Sequence, residues 1–281
     1  MQKALEDSEE AELTISKHVP KEVLSVEFNP SKKLAHFIVE LRNTPGALER
    51  SAAAATKHGI NILSGFHHAP SASNRGFWSF FADFTNVRRT PSELASELKA
   101  LDSTIDVRFH VPPNGLLIDM FHFPLKWGGQ RAIMMRTESI SSIFARINGI
   151  FGDGPAAKVV LYEMGEAAGQ AIYASLMSAI GLDALKQELQ QVLALYMTSG
   201  WGIFELLHLD FEKKTAAIRV KENFECLHYQ KRSPAPRSNF VRGHLAGWFS
   251  ELFATRVEVT ESYCVAKGDE FCSFTIEKPG I

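Results

Sequence analysis

Apolar and polar residues follow two different rhythms along this chain, and the rhythm changes near residue 137. Before that point the apolar runs are short. LAHFIVEL (34–41) is a nearly unbroken apolar run of strand length. NTPGALERSAAAATKHG (43–59) sets Ala47, Leu48, Ala52 and Ala55 on one helical face, with Pro45 suited to a first turn and Gly59 to a stop. INILSGFHHA and FWSFFADFT read as strands. TPSELASELKALD reads as an amphipathic helix with Pro91 in its first turn, and IDVRFHV as a closing strand. The order βαββαβ over 34–111 predicts an antiparallel sheet with both helices on one face, a ferredoxin-like split βαβ arrangement.

PPNG (112–115) interrupts this pattern, and an apolar connector with turns at Phe123-Pro124 and Gly128-Gly129 follows. Helical periodicity then dominates in ESISSIFARINGIFG, AAKVVLYEMGEAAGQAIYASLMSAI and DALKQELQQVLALYMTSG. GIFELLHLDF and TAAIRVKENFEC predict a strand hairpin. HYQKRSPAPRS is a basic, proline-broken loop. NFVRGHLAGWFSELFA predicts a helix whose Gly243, Ala246 and Gly247 permit close packing. RVEVTESYCVA and EFCSFTIE predict a last hairpin turning at Lys267-Gly268-Asp269. The fold class is therefore α+β: a polar leader (1–30) ending in a short strand at EVLSVEF, a βαββαβ unit (31–112), a connector (113–136), and a mixed helical and antiparallel-hairpin unit (137–281). The first dozen residues are expected to be disordered.

Composition narrows the function. The formal net charge is −2, so neither direct nucleic-acid binding nor attachment to an anionic membrane is expected. No run approaches the roughly 18 apolar residues of a membrane span. The acidic amino terminus lacks the apolar core of a signal peptide. Three cysteines without a secretion signal point to a reducing cytoplasm. The chain shows no P-loop, dinucleotide or helix-turn-helix signature, and no spacing that supports a Ser-His-Asp or Cys-His catalytic set.

Two stretches carry candidate chemistry. In RNTPGAL, a strand end runs into a helix amino terminus, leaving backbone N–H groups for a carboxylate; Asn43 either caps the helix or hydrogen-bonds a ligand. In ESYCVAKGDEFC, Cys264 and Cys272 flank a turn, with Glu261 three residues ahead. A disulfide is disfavoured in a reducing compartment. Two thiolates and a carboxylate suit zinc, and two plain buried thiols are the alternative. Tyr162, Met164, Tyr173, Met177, Tyr196, Met197, Trp201 and Phe204 mark the helices as apolar; such stripes are usually core.

Residues 34–111 resemble an ACT domain, whose strand, Asp/Asn-x-x-Gly turn, helix and Gly-Ile-Asn-Ile run are matched by Asn43 to Gly46 and Gly59 to Ile62. The resemblance implies an amino-acid or similar small polar effector in a loop containing Asn43, Gly46 and Leu48, and a homodimer. Asn43 replaces the more usual Asp. Residues 125–278, above all GHLAGWFSELFATRVEVTESYCVAKGDEFCSFTI, resemble a 4-vinyl reductase domain, related to sensory domains of aromatic-responsive transcription activators and to transport-complex subunits. That resemblance implies a hydrophobic ligand in an apolar cavity, with Trp201 and His208 as polar handles. It also implies zinc on Glu261, Cys264, Cys272 and a fourth residue. The family's fourth cysteine falls on Ser238, so Cys226, His228 or water must complete the set. The expected function is a small-molecule-binding regulatory or sensor protein acting through an unknown output partner. The alternatives are a vinyl reductase acting on a tetrapyrrole, and a protein-interaction scaffold.

Overall fold

The computed structural model describes residues 19–23, 25–152, 154–229 and 233–280. The disorder expected of the first dozen residues and part of the basic loop (230–232) lie outside them. The chain divides into two compact units, one ending at Ala132 and one beginning at Ile133. No helix among the described residues is long and apolar enough to cross a membrane.

In the first unit, β1 (Val26–Phe28) precedes β2 (Leu34–Arg42), α1 (Ala47–Thr56), β3 (Asn61–His68), β4 (Arg75–Asp83), α2 (Pro91–Lys99) and β5 (Thr104–His110). The four longer strands form an antiparallel sheet in the order β3-β4-β2-β5, which is the ferredoxin-like arrangement. Strand alternation sends Ala35, Phe37, Val39 and Leu41 of β2 to the helix-covered face, where they pack with Ala55, Phe80, Leu94 and Leu98. Phe37 and Phe80 stack at 5.2 Å, and burying such rings contributes about 2 kcal/mol each. α2 opens on a capping box: Thr90 Oγ1 accepts the Glu93 N–H, and Glu93 accepts the Thr90 N–H. Helix α1 begins two residues later than Pro45 suggests. Gly46, at φ 79°, takes the N-cap position, a conformation that glycine adopts without strain.

LAHFIVEL is buried along nearly its whole length because the other sheet face is covered too. Leu34 and Phe81 meet Leu117 there. Leu117 lies on β6 (Leu116–Ile118), which pairs antiparallel with β1. The expected connector thus contributes a strand and then a short hairpin, β7 (Lys126–Trp127) and β8 (Gln130–Arg131), turning at Gly128-Gly129.

The second unit opens with α3 (Thr137–Phe151) and α4 (Pro155–Ile180). The expected third helix is two, α5 (Leu182–Gln187) and α6 (Leu189–Thr198), broken at Glu188. β9 (Ile203–Asp210) and β10 (Thr215–Lys221) follow. TAAIRVKENFEC is not strand throughout: Asn223 caps a short helix, α7 (Phe224–Leu227), which carries Cys226. α8 (Asn239–Phe253), β11 (Glu258–Tyr263) and β12 (Cys272–Glu277) complete the sheet in the order β11-β12-β10-β9. α4 and α8 cross at backbone contact. A methyl at Gly165 or Gly169 would collide with the carbonyls of Phe240 or His244, and one at Gly243 or Gly247 with those of Tyr162 or Glu166. The small residues read in NFVRGHLAGW thus have partners in EMGEAAG. Trp248, Phe249 and Phe274 fill the core around them.

Candidate metal centre

A regular strand sends residues three apart to opposite faces, so Glu261 and Cys264 could not share a site on an ideal β11. The register of β11 on β12 slips between Glu261 and Tyr263: Glu261 pairs with Phe274 and Tyr263 with Ser273. This bulge at Ser262 resets the alternation and turns Cys264 inward. The hairpin is also looser than expected. A 3₁₀ turn (Val265–Lys267) follows Cys264, Gly268 takes φ 109°, and Asp269 accepts the Cys264 N–H at 2.7 Å. The longer loop brings Cys272, at the start of β12, back beside Cys264.

Cys226 completes the group from α7. Its sulfur lies 3.5 Å from that of Cys264 and 3.8 Å from that of Cys272. Donor atoms of Cys226, Glu261, Cys264 and Cys272 all lie within 4.8 Å of one another. All three thiols are fully buried and none is in a disulfide. A tetrahedron of sulfurs about 2.3 Å from zinc has edges of about 3.8 Å, which the two sulfur separations approach.

The surroundings favour anionic sulfur. The Arg237 N–H points at Cys264 Sγ (3.4 Å), and the Val265 N–H at Cys272 Sγ (3.4 Å). Buried Asn223 donates its amide to Cys272 Sγ at 3.3 Å and to Ser238 Oγ at 2.9 Å. Ser238 caps α8 at the edge of the cluster and donates to Glu261 Oε1 at 2.7 Å. Hydrogen bonds from Cys226 and Cys272 lower the Cys264 thiol, whereas its hydrogen bond with Cys264 raises Cys226. Cys272 accepts from Cys226 but gives to Cys264 and is buried, and the balance pushes it up to about 12. Burial and the neighbouring Cys264 charge raise Glu261 to about 8. One sulfur thus ionises readily while its neighbours hold protons, and a divalent cation would replace those protons at once. Three thiols and one carboxylate fit zinc in type, number and spacing.

Of the three ways to complete the set, the structure brings Cys226. His228 packs on Tyr229 at 4.0 Å and is not among the four donors. Ser238 occupies the position that the resemblance gives to cysteine, and its Oγ lies 3.0 Å from Cys226 Sγ. Behind the cluster, fully buried Glu225 accepts the N–H groups of Phe240 and Val241 at the start of α8. Burial raises Glu225 to about 8, against the pull of those hydrogen bonds.

The remaining candidates lie apart from this group. Asn43 does not cap α1; its amide donates to the carbonyls of Ser73 (2.8 Å) and Pro70 (3.3 Å), tying down the β3–β4 loop. Leu48 packs on the core of the first unit, and Gly46 is exposed. Trp201 joins an aromatic cluster with Tyr196, Phe224 and His244. His208 is exposed and hydrogen-bonds Thr215 at 3.2 Å. Alternation from Phe204 and Leu206 would point it inward, but β9 bulges at Leu207 and Leu209 packs inside instead. The bulge has a local partner: Gln190 of α6 accepts the Leu206 N–H at 2.7 Å.

The family model of the 4-vinyl reductase domain matches residues 216–278, which contain all four donors. No curated protein matches the chain. Among solved structures, the chain is similar to the phenol-responsive sensory domain of the transcription activator PoxR with phenol (17% identity, 53% of this chain and 78% of that one, TM-score 0.46). It is also similar to a vinyl-4-reductase family protein from Methanocaldococcus jannaschii (19%, 53% and 85%, 0.37). A third is trafficking protein particle complex subunit 3 from Naegleria fowleri, covalently bound to palmitic acid (18%, 51% and 95%, 0.40).

Proposed function

We propose that this chain is a small-molecule-binding regulatory protein whose second unit is a ligand-binding module of the 4-vinyl reductase type, built on a structural zinc centre. Four convergent donors inside the matched segment are the observation that carries the proposal. Zinc on Cys226, Glu261, Cys264 and Cys272 would supply cross-linking, not catalysis. All four protein positions are filled, which characterises structural sites, whereas catalytic zinc keeps one open. The chain's own residues do the rest. The Arg237 and Val265 N–H groups and Asn223 hold negative sulfur, and Ser238 orients the Glu261 carboxylate. The centre would pin α7, the start of α8 and the last hairpin together, leaving the helices to receive a hydrophobic small molecule. Ile143, Ile150 and Phe151 of α3 and Val159 and Met164 of α4 are exposed, and they supply apolar surface for it.

The first unit is read as an ACT domain that senses an amino acid or a similar effector and forms a homodimer; its edge strands β3 and β5 are available for pairing. Output then passes to a partner protein. Three free thiols in one cluster suit a reducing compartment, so the cytoplasm is the proposed setting.

The test is a native mass spectrum of the full chain beside its denatured mass, followed by melting curves with phenol and with palmitate. One zinc per chain and a rise in melting temperature with either compound are expected. A zinc-free spectrum with no thermal response to either compound would overturn the reading.

A further inference from the structure

The sheet face of the first unit that the helices leave uncovered holds a second group of metal-ligating side chains. His36 lies on β2 and points away from α1 and α2. It is fully buried, and its Nε2 is 2.8 Å from Ser79 Oγ on β4. Its other nitrogen, Nδ1, has no hydrogen-bond partner. Facing it is Asp119, which follows β6; the nearer oxygen, Oδ1, stands 3.8 Å away. The other oxygen lies 2.7 Å from His122 Nδ1. One ligand atom from each of the three residues can be chosen so that all lie within 4.8 Å of one another.

The arrangement is unsatisfied without a cation. Either tautomer of His36 leaves Nδ1 with nothing at hydrogen-bond distance, and a buried polar atom in that state costs about 1–3 kcal/mol. Burial also keeps the ring neutral, lowering His36 to about 4; Asp119 works against this, and His122 and His110 reinforce it. A lone pair on Nδ1 would then face a carboxylate oxygen across a gap that a metal ion spans. The rest of the site is fixed. Phe81 packs edge-on to His36 at 4.8 Å, Phe121 packs at 4.9 Å, and Phe66 holds His122 at 5.0 Å. Ser79 sets the orientation of the His36 ring, as the outer partner of a metal-bound imidazole does.

We propose that His36, Asp119 and His122 bind a first-row divalent transition-metal ion. Two imidazoles and one carboxylate favour zinc, cobalt, nickel or ferrous iron over magnesium and calcium, which prefer all-oxygen sets, and over cuprous copper, which prefers sulfur. Three protein ligands leave at least one coordination position for water or a small ligand. His122 is 29% exposed, which gives that position access to solvent. The site is therefore of the open type, unlike the closed sulfur centre.

The test is a Co²⁺ titration of the chelator-stripped full chain, followed by visible absorption and proton NMR. Two equivalents are expected. One gives thiolate charge-transfer bands from the cysteine centre. The other adds only weak d–d bands and paramagnetically shifted imidazole N–H signals. In Asp119→Asn and His122→Gln, circular dichroism should be unchanged, the thiolate bands retained and the second equivalent weakened at least tenfold. A wild-type chain without shifted imidazole signals would overturn the proposal, whether or not the variants fold. So would a second equivalent of unchanged affinity in both variants. Thiolate bands and imidazole signals report separate centres, so either assignment can fail alone.

Discussion

In the second unit, three sulfurs and a carboxylate converge in a space with no exposed sulfur, and N–H groups from two loops point at two of those sulfurs. In the first unit, two imidazoles and a carboxylate meet under a strap of chain, with one imidazole partly open to solvent. The materials set different roles. Soft, buried, fully supplied donors make a cross-link whose binding energy becomes folding energy. Harder donors with an open position make a site that can exchange a ligand without unfolding anything. The units also differ in how they are held. The first is a sheet with covers on both faces. In the second, two helices touch backbone to backbone at four glycines.

The comparison is broken most directly by removing sulfur. Cys264→Ala with Cys272→Ala should abolish zinc binding and destabilise the second unit by at least about 4 kcal/mol in urea, because the metal's binding energy is lost with it. Plain buried thiols would cost only about 1 kcal/mol each. The first unit's unfolding transition should not move.

Gly165→Ala should cost the second unit about 3 kcal/mol, since the added methyl meets the Phe240 carbonyl and the helices must separate. Gly149→Ala is the control. It lies inside α3 with open space around it and should stabilise by about 1 kcal/mol. Equal effects in the two variants would contradict the close crossing.

Acid should act on the second unit through His244, which is buried against Tyr196 and lowered by burial to about 3. The unfolded chain takes up this proton below about pH 6.5 and the folded chain does not, so stability is fully present above that value and falls as pH falls. Between pH 7 and 5 the loss is roughly 2 kcal/mol. His244→Phe should flatten that part of the pH profile; an unchanged slope would contradict it. The smallest effect belongs to the first unit: Thr90→Ala removes the capping box of α2 and should cost about 1 kcal/mol by thermal melting.

The sequence made local order legible and left folded-over segments hidden. Hydrophobic rhythm identified the βαββαβ order, and the spacing of Glu261, Cys264 and Cys272 raised zinc chemistry. The bulge at Ser262, which lets Glu261 and Cys264 share a face, has no clear residue signature. Cys226 could be named only as one of three candidates, because a four-residue helix inside an apparent strand presents it. His208 was read in phase with Phe204 and Leu206, and a bulge dictated by Gln190 on another helix reversed it. The histidine pair was invisible for a different reason. His36 sits in a strand, while Asp119 and His122 sit in what reads as a connector, and only the docking of that connector on the sheet unites them. The continuous burial of LAHFIVEL was the one available hint that both sheet faces are covered.

The central claim is the composition of the sulfur centre. Zinc K-edge X-ray absorption on the full Asp119→Asn chain, loaded with one equivalent of zinc, measures it most directly. The account predicts three sulfurs at about 2.3 Å and one oxygen at about 2.0–2.2 Å, with one sulfur lost in Cys226→Ser. A first shell of nitrogen and oxygen only, or a sulfur count unchanged by Cys226→Ser, would contradict it.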